Sequence, residues 1–257
     1  MDLGLRGKIA LVTGGSRGIG RAIALGLADE GCHVAITART EGSLRDTAGE
    51  IERRGVRCLA LALDMAVPSA PAEAVARAVE VLGGLDVLVN NVGGSKGDRS
   101  LEGSTDQQWS QTLDVNLWPA VRASRAAIPH LRARGGGAII HITSIYGREA
   151  GGPPAYNAAK SALNSLATAM GRELAAQNIR VNAVAPGSVI FPGGGWERRQ
   201  REDPEGIAAF IRRDLPMGRF GRPEEIASVV VFLASPCASL VTAACLNVDG
   251  GQSRSNI

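Results

Sequence analysis

Short apolar runs alternate along the chain with longer segments in which apolar residues recur every three or four positions. Short runs between turn residues are typical of buried strands, and the longer period is typical of helices. Several runs are apolar at consecutive positions, which predicts parallel strands covered by helices on both faces. The predicted strands are 8–13, 33–37, 58–63, 85–90, 138–143, 179–185 and 244–248.

The segments between these strands have helical periodicity. Ile19, Ile23 and Leu27 give the first helix an apolar stripe, and long helices are predicted over about 105–131 and 155–176. Seven strands joined by helical crossovers predict an α/β fold with a doubly wound sheet. Because no repeat or linker divides the chain, we expect one domain.

The charge balance argues against one class of partner. The chain has 28 Lys and Arg against 25 Asp and Glu, a net charge of +3, which is too small and too evenly spread for a nucleic-acid-binding surface. No stretch approaches about 18 uninterrupted apolar residues, and the start of the chain lacks the pattern of a signal peptide. We therefore expect a soluble cytoplasmic protein without a membrane partner.

Cysteines and histidines are scattered and do not predict a metal site. The three histidines are far apart, and the four cysteines form no C-x-x-C pair. We expect Cys32, Cys58, Cys237 and Cys245 to be buried thiols in a reducing compartment.

A glycine-rich turn directly follows the first predicted strand. In "TGGSRGIG" (13–20), Gly14, Gly18 and Gly20 allow a tight turn and close backbone approach at the start of a helix. Such a helix N-terminus binds anions such as the phosphates of a nucleotide. The alternative is a structural turn that binds no ligand.

The second strand ends in "TARTE", where folds of this type that use NAD place a carboxylate for the ribose. Arg39 occupies that point and Arg17 lies in the glycine loop, so together they are suited to bind a 2′-phosphate. This pair favours NADP(H) over NAD(H). The alternative is two solvated surface arginines.

Tyr156 and Lys160, in "YNAAK", are four residues apart and therefore lie on the same face of a helix. An ammonium beside a phenol can lower the phenol's pKa from about 10 and so promote proton transfer near neutral pH. The alternative is a half-buried tyrosine with a lysine extending past it to solvent.

In these features together, the chain closely resembles the short-chain dehydrogenase/reductase family of the Y-x-x-x-K type, and is similar in outline to 3-oxoacyl-(acyl-carrier-protein) reductases. This resemblance implies a single Rossmann-like domain over 1–257 that binds one nicotinamide cofactor, usually in a homotetramer. The motifs that carry it stand in order as "TGGSRGIG", "LD" at 63–64, "NNVG" at 90–93, "DVNLW" at 114–118, "ITSIYG" at 142–147, "YNAAK", "NAVAPG" at 182–187, "GRFGRPEEIASVVVFLAS" at 218–235 and "VDGG" at 248–251.

The resemblance also implies which residues bind the cofactor. The expected set covers the pyrophosphate and ribose, the adenine, and the nicotinamide end. Its members are Gly14, Ser16, Arg17, Gly18, Ile19, Arg39, Asp64, Met65, Asn91, Gly93, Tyr156, Lys160, Pro186, Gly187 and Val189.

By the same resemblance, Asn116, Ser144, Tyr156 and Lys160 form a catalytic tetrad. Tyr156 would exchange the proton, Lys160 would lower its pKa, and Ser144 would donate a hydrogen bond to the substrate oxygen. Asn116 would orient a water that links Lys160 to solvent. Thr143 precedes Ser144 and remains an alternative to it.

The chain departs from the family pattern after "PG" at 186–187. Phe191 stands where many members carry a threonine near the nicotinamide carboxamide, which leaves the backbone at Val189 to hold that group. We expect Phe191 and Trp196 to form an apolar cover over the substrate, within a lid at 188–215 that begins irregularly over 188–206. The alternative is an exposed loop without a role.

A second departure concerns acyl carrier protein as a partner. Gln177 stands where carrier-protein reductases have an arginine at the site mouth, which weakens that assignment. Other basic residues either compensate for this change or are ordinary solvated charges. They are Arg132, Arg134, Arg198, Arg199 and Arg201.

The sequence thus predicts an NADP(H)-dependent carbonyl reductase or secondary-alcohol dehydrogenase. The predicted substrate is a small molecule, a 3-oxoacyl thioester or a small β-keto compound. A second enzymatic interpretation is a dehydrogenase for a sugar, polyol, steroid or xenobiotic alcohol. A hypothesis of another class is a catalytically silent NADP-binding sensor.

Overall fold

A seven-stranded parallel sheet runs through the computed structural model, which describes residues 2–256. All seven predicted strands are confirmed, and no strand end differs from its prediction by more than two residues. The predicted domain 1–257 therefore has its two terminal residues outside the described part. The strands are β1 (Ile9–Val12), β2 (His33–Ala38), β3 (Cys58–Ala62), β4 (Val87–Asn90), β5 (Gly137–Ile142), β6 (Ile179–Pro186) and β7 (Cys245–Val248).

Eight α-helices connect or follow these strands within the described residues, and the long helices predicted near 105–131 and 155–176 are confirmed. They are α1 (Gly18–Asp29), α2 (Glu41–Glu52), α3 (Ala70–Leu82), α4 (Asp106–Ala133), α5 (Pro154–Leu174), α6 (Gly195–Glu202), α7 (Pro204–Asp214) and α8 (Pro223–Ala234).

The strand order, β3-β2-β1-β4-β5-β6-β7, is that of a doubly wound Rossmann-like fold. After β3 the chain crosses back past β1 to form β4, so the winding direction reverses between these two strands. The connections on the two sides of this point diverge and leave a crevice at the carboxyl ends of the strands. This crevice is where the predicted site residues converge.

The core lies in two layers, one on each face of the sheet. Along β1, Ala10 and Val12 face one layer while Ile9 and Leu11 face the other, as the alternation of side chains along a strand requires. The first layer includes α1 and α8, and Ile23 of the predicted α1 stripe is fully buried in it. The second layer is built by α3, α4 and α5. Both faces are therefore covered, as predicted.

Two helices carry the predicted catalytic residues, and each has a defined start. Thr105 caps α4 in a reciprocal arrangement: its Oγ1 accepts from the Gln108 N–H at 3.3 Å, and Gln108 Oε1 accepts from the Thr105 N–H at 3.0 Å. Proline at the first position of α5, Pro154, has no N–H to leave unsatisfied there.

The segment 188–215 is more regular than its glycines and prolines indicate. α6 begins at Gly195, inside the stretch expected to be irregular, and α7 follows it. Trp196 stacks on Phe210 with ring centroids 4.8 Å apart and contacts Phe220 at 5.1 Å. These rings form a small apolar cluster separate from the two core layers, and this cluster offsets the weak local preference for helix.

The expectation that the cysteines are buried is confirmed for Cys32 and wrong for Cys237, which is exposed in a single 3₁₀ turn after α8. Cys58 and Cys245 are partly buried, and all four thiols are free. Burial raises the pKa of Cys32 and of Cys58 to about 12, so both are neutral thiols at neutral pH. Across residues 2–256 we find no helix long and apolar enough to span a bilayer.

Candidate active site

A cavity of about 850 Å³ opens at the carboxyl ends of β1, β2, β4, β5 and β6. It brings together nearly all the residues that were predicted to be catalytic or to bind the cofactor or substrate. Only Gly18 and Asn116 are not on its surface. The predicted residues that line it are Gly14, Ser16, Arg17, Ile19, Arg39, Asp64, Met65, Asn91, Gly93, Ser144, Tyr156, Lys160, Pro186, Gly187, Val189, Phe191 and Trp196.

The glycine loop forms one wall through a backbone shape that other residues rarely adopt. Gly14 and Gly18 have φ angles of +68° and +53°, and a Cβ added at Gly20 would lie 2.2 Å from the Gly14 carbonyl oxygen. The loop therefore packs directly on α1. Arg17 occupies the N-cap position of α1 with no capping hydrogen bond from its side chain. The first N–H groups of α1 are thus available to an anion.

Thr13 and Asn91 connect this loop to β4, a link that the sequence reasoning missed. Asn91 Nδ2 donates to the carbonyls of Thr13 and Gly14 at 2.9 and 3.2 Å, and Thr13 Oγ1 accepts from the Asn91 N–H at 2.9 Å. The two strand ends on either side of the winding reversal are therefore held together. The sequence signal that could have revealed this link is the threonine directly before the glycines.

Arg17 and Arg39 are both exposed and both line the cavity. Neither guanidinium lies within ion-pair distance of any carboxylate among residues 2–256. Two unpaired positive groups beside an uncapped helix N-terminus make this end of the cavity suited to phosphate groups.

Lys160 is buried deeply for a lysine, with only 3% of its surface exposed. Its Nζ donates to the carbonyl of Ile142, at the end of β5, at 3.0 Å and lies 5.6 Å from the centre of the Tyr156 ring. The prediction that these two side chains lie close together is confirmed. Burial lowers the pKa of Lys160 to about 8, so the ammonium still predominates at neutral pH.

Tyr156 corrects one expectation. Burial raises the pKa of its phenol; a hydrogen bond with Ser144 lowers it in part, and the nearby Tyr146 adds to the rise. The prediction that Lys160 brings this pKa below its usual value is wrong for this structure. The physical reason is that desolvation disfavours the phenolate more than the surrounding groups favour it. The phenol is protonated at neutral pH.

The structure distinguishes Ser144 from Thr143. Thr143 Oγ1 donates to the carbonyl of Val184 on β6 at 3.1 Å, and its side chain is buried. Ser144 Oγ instead accepts from the Tyr146 N–H at 3.2 Å and lies close enough to the Tyr156 phenol to lower its pKa. Ser144 is therefore the hydroxyl beside the Tyr156 phenol, and Thr143 helps to join β5 to β6.

Asn116 lies behind the cavity wall. Its Nδ2 donates to the carbonyls of Gly94 and Thr112, both at 2.7 Å, and its Oδ1 accepts from the Gly94 N–H at 3.1 Å. A Cβ added at Gly93 would lie 2.7 Å from Asn116 Oδ1 and 2.9 Å from Lys160 Nζ. Asn116 thus holds the Gly93–Gly94 backbone against Lys160, while its part in orienting a water stays a prediction.

Phe191 and Trp196 both line the cofactor cavity but pack against different parts of the chain, and the apolar cover over the substrate stays a prediction. A Cβ added at Gly18 would lie 2.7 Å from the Phe191 ring, so Phe191 rests on the glycine loop. Trp196 belongs to the aromatic cluster of α6 and α7 and also lines a second cavity of about 800 Å³. The sequence reasoning did not find this second cavity, because its walls come from four segments far apart along the chain, around residues 99, 145–153, 196–214 and 252–254.

Comparison with known proteins places this geometry in a family. The family model described as Enoyl-(Acyl carrier protein) reductase matches residues 14–253. Short-chain reductase protein NovJ of Streptomyces niveus is 40% identical over 246 residues, covering 95% of this chain and 94% of that protein. The 3-oxoacyl-(acyl-carrier-protein) reductase FabG of Staphylococcus epidermidis is 36% identical over 246 residues, covering 95% and 98%.

Among solved structures, L-sorbose reductase from Gluconobacter frateurii, complexed with NADPH and L-sorbose, has a TM-score of 0.94 to this chain. The two sequences are 36% identical, and the match covers 99% of this chain and 100% of that one.

The burial of Lys160 predicts a pH-dependent cost in stability. Its pKa is about 8 in the folded chain and about 10.4 in an unfolded one, so the unfolded chain binds more protons between these values. Stability falls as pH drops through this window, and the full cost applies below it. Lys160→Met is expected to stabilise the protein by roughly 3 kcal/mol at neutral pH, with the gain shrinking as pH rises from about 8 to about 10.4.

Urea unfolding across this pH range measures the difference, with Lys96→Met, at an exposed lysine, as the control. A gain that is independent of pH, or one that Lys96→Met shares, contradicts the assignment of the low pKa to Lys160.

Proposed function

Because this chain belongs to the short-chain dehydrogenase/reductase family, we propose that it transfers a hydride between NADP(H) and a carbonyl or secondary-alcohol substrate. The observation that carries the proposal is that Ser144, Tyr156 and Lys160 line the same cavity as the glycine loop. A candidate proton donor, its charged partner and a glycine loop suited to phosphate groups therefore lie in one cavity.

The residues of the cavity fit a nicotinamide dinucleotide. Gly14 and Gly18 shape the loop, the first turn of α1 offers free N–H groups, and Arg17 and Arg39 supply positive charge where a 2′-phosphate would lie. Asp64 and Met65 would meet the adenine. When bound, NADPH supplies the hydride, and the protein supplies position and electrostatics.

The protonation states of Tyr156 and Lys160 are those that reduction of a carbonyl needs. Burial keeps the Tyr156 phenol protonated, so it is ready to donate a proton to the oxygen of a carbonyl substrate. The Ser144 hydroxyl, beside the phenol, would donate a hydrogen bond to the same oxygen. Lys160, mostly an ammonium at neutral pH, stabilises the phenolate that remains after transfer.

A 3-oxoacyl thioester or a small β-keto compound is the proposed substrate class, supported by the FabG relative. Docking of an acyl carrier protein is weakly supported, because the candidate arginines are engaged elsewhere. Arg132 donates to Gln177 at 2.9 Å, and Arg134 pairs with Asp86 at 3.1 Å. Arg198 and Arg201 pair with carboxylates one helical turn away on α6, which leaves Arg199 at the second cavity.

A second candidate is a sugar or polyol dehydrogenase. The second cavity adjoins the reactive tyrosine's neighbour Tyr146 and has many polar side chains, which suits a hydroxylated substrate. The likeness to L-sorbose reductase supports the same candidate. A homotetrameric assembly and a cytoplasmic location are inferences from the family and stay predictions.

Tyr156→Phe tests the reaction and separates an enzyme from a silent NADP-binding sensor. We expect NADPH oxidation with an acetoacetyl thioester in the wild type and a loss of about a hundredfold or more in kcat for the variant, because the proton donor is gone. NADPH affinity, measured by fluorescence titration, should change little. Undiminished turnover in the variant contradicts the mechanism, and cofactor binding without any carbonyl reduction in the wild type favours the sensor.

Gly93→Ala tests the packing behind the reactive pair. The new Cβ would press on Asn116 Oδ1 and Lys160 Nζ, so we expect kcat to fall about tenfold or more with little loss of fold. Gly94→Ala is the matched control, because its Cβ would meet no atom within 4 Å. Equal rates for both variants would show that Lys160 and Asn116 tolerate displacement.

Arg39→Asp tests the choice of cofactor. Removal of a charge-assisted contact and introduction of a like charge should weaken NADPH binding by about 10–100-fold and shift the preference toward NADH. Arg45→Asp is the control, because Arg45 lies on α2 outside the cavity and pairs with Glu41. Unchanged NADPH affinity in Arg39→Asp removes this residue from the phosphate site.

A further inference from the structure

The second cavity carries charge that the mechanism above does not use. Beyond Trp196, which it shares with the cofactor cavity, it is lined by four arginines and three carboxylates. Whether this charge serves the fold or a ligand depends on how these groups are paired. They are Arg99, Arg199, Arg213 and Arg254, with Glu149, Asp203 and Asp214.

All three carboxylates are occupied by groups of the chain itself. Asp214 accepts two hydrogen bonds from Arg213, at 2.9 and 2.7 Å. Asp203 caps α7 by accepting from the Gly206 N–H at 2.9 Å. Glu149 accepts from Ser253 Oγ at 3.1 Å and from the Arg254 N–H at 2.8 Å, which ties the end of the chain to the cavity rim.

The arginines of the cavity differ from the carboxylates in how they are paired. Arg213 is paired, but the guanidinium groups of Arg99, Arg199 and Arg254 have no ion pair with a carboxylate in the described part of the chain. Three positive groups therefore face one cavity without a partner at ion-pair distance. Four arginines against three carboxylates give the lining a net charge of +1, and the three guanidinium groups without an ion pair are available to an added anion.

Arg199 is the best placed of the three, because an aromatic ring supports its guanidinium. Its guanidinium lies over the Trp196 ring at 4.9 Å from the centroid, and Trp196 is the residue common to both cavities. Stacking on an aromatic face leaves the N–H edge of a guanidinium free for hydrogen bonds. The neighbouring Arg198 turns away to Glu202, so α6 directs Arg199 alone into the cavity.

Tyr146 lines the same cavity and lies among charges of both signs. Burial raises the pKa of its phenol, Glu149 and Asp214 add to the rise, and the positive charges of Arg199 and Arg99 act to lower it. Tyr146 in turn lies close enough to Tyr156 to influence its pKa. The arginines therefore surround a space adjacent to the proposed proton donor, where the part of a substrate remote from the nicotinamide would extend.

We propose that the second cavity binds an anionic group of the substrate, a carboxylate or a phosphate, through Arg199 with Arg99 and Arg254. This proposal rests on the proposed reductase function and narrows it to anionic carbonyl compounds. The two sources of the anion are a small keto acid, with a carboxylate close to the carbonyl, and a thioester of a phosphorylated carrier such as coenzyme A.

The test is equilibrium binding by calorimetry in the presence of saturating NADP⁺, which cannot reduce a ketone, so the result does not depend on turnover. Two pairs of probes differ in charge: acetoacetate against ethyl acetoacetate, and acetoacetyl-coenzyme A against the neutral S-acetoacetyl-N-acetylcysteamine. We expect the anionic member of one pair to bind about tenfold or more tightly, with the difference shrinking as salt is added. A difference in affinity within the acetoacetate pair identifies the carboxylate as the group bound, and a difference within the coenzyme A pair identifies the phosphate.

Arg199→Gln should abolish this charge preference and leave the affinity for the neutral probes unchanged, whereas Arg198→Gln, one residue away on α6, should keep it. Any of three results overturns the proposal: equal affinity for charged and neutral probes, no binding of any of the four probes, or an equal loss of charge preference in both variants. Reduction is measured separately as NADPH oxidation. Charge-selective binding without oxidation therefore contradicts the reductase function but leaves the anion site standing. Oxidation without a charge preference contradicts the anion site but leaves the reductase function standing.

Discussion

The ammonium of Lys160 is the group around which the site is built. A lysine this deeply buried loses most of its hydration, and a single hydrogen bond to the Ile142 carbonyl replaces only part of it. Glycine at position 93 leaves room for the ammonium, because a Cβ there would lie 2.9 Å from Lys160 Nζ, and Asn116 anchors the adjacent Gly94. Proteins keep a buried charge of this kind, despite the cost of its desolvation, where the charge has a use. Here it lies beside the phenol of Tyr156.

The winding reversal between β1 and β4 explains why these groups face a crevice. Parallel strands end at one edge, so residues that follow β1, β2, β4, β5 and β6 meet there although they are far apart along the chain. Thr13 and Asn91 hold the two central strand ends together. On this rigid base, α6 and α7 are held by their own aromatic cluster and by Gln252, which bonds Ser188 through both ends of its amide.

Trp196 divides the space above the sheet into two regions of different character. On the cofactor side, unpaired Arg17 and Arg39 accompany a helix N-terminus. On the other side, the Arg199 guanidinium stacks on the same indole and lines the second cavity. The carboxylates of that cavity already accept hydrogen bonds from other groups of the chain. Both regions therefore present positive charge, and the tyrosine and lysine lie between them in a largely desolvated setting.

The sequence by itself determined the strand and helix pattern and the identity of the residues at the crevice. Apolar runs such as "KIALVT" and the ordered motifs from "TGGSRGIG" to "YNAAK" depend on local spacing, which the chain states directly. Only the tertiary structure decided what those residues experience. The roles of Ser144 and Thr143 differ because one hydroxyl meets Tyr156 and the other a carbonyl of β6, and the pKa of Tyr156 is raised because distant segments bury it. Likewise Arg198 and Arg199, adjacent in the chain, differ in partners because a helix turns successive side chains to different surroundings.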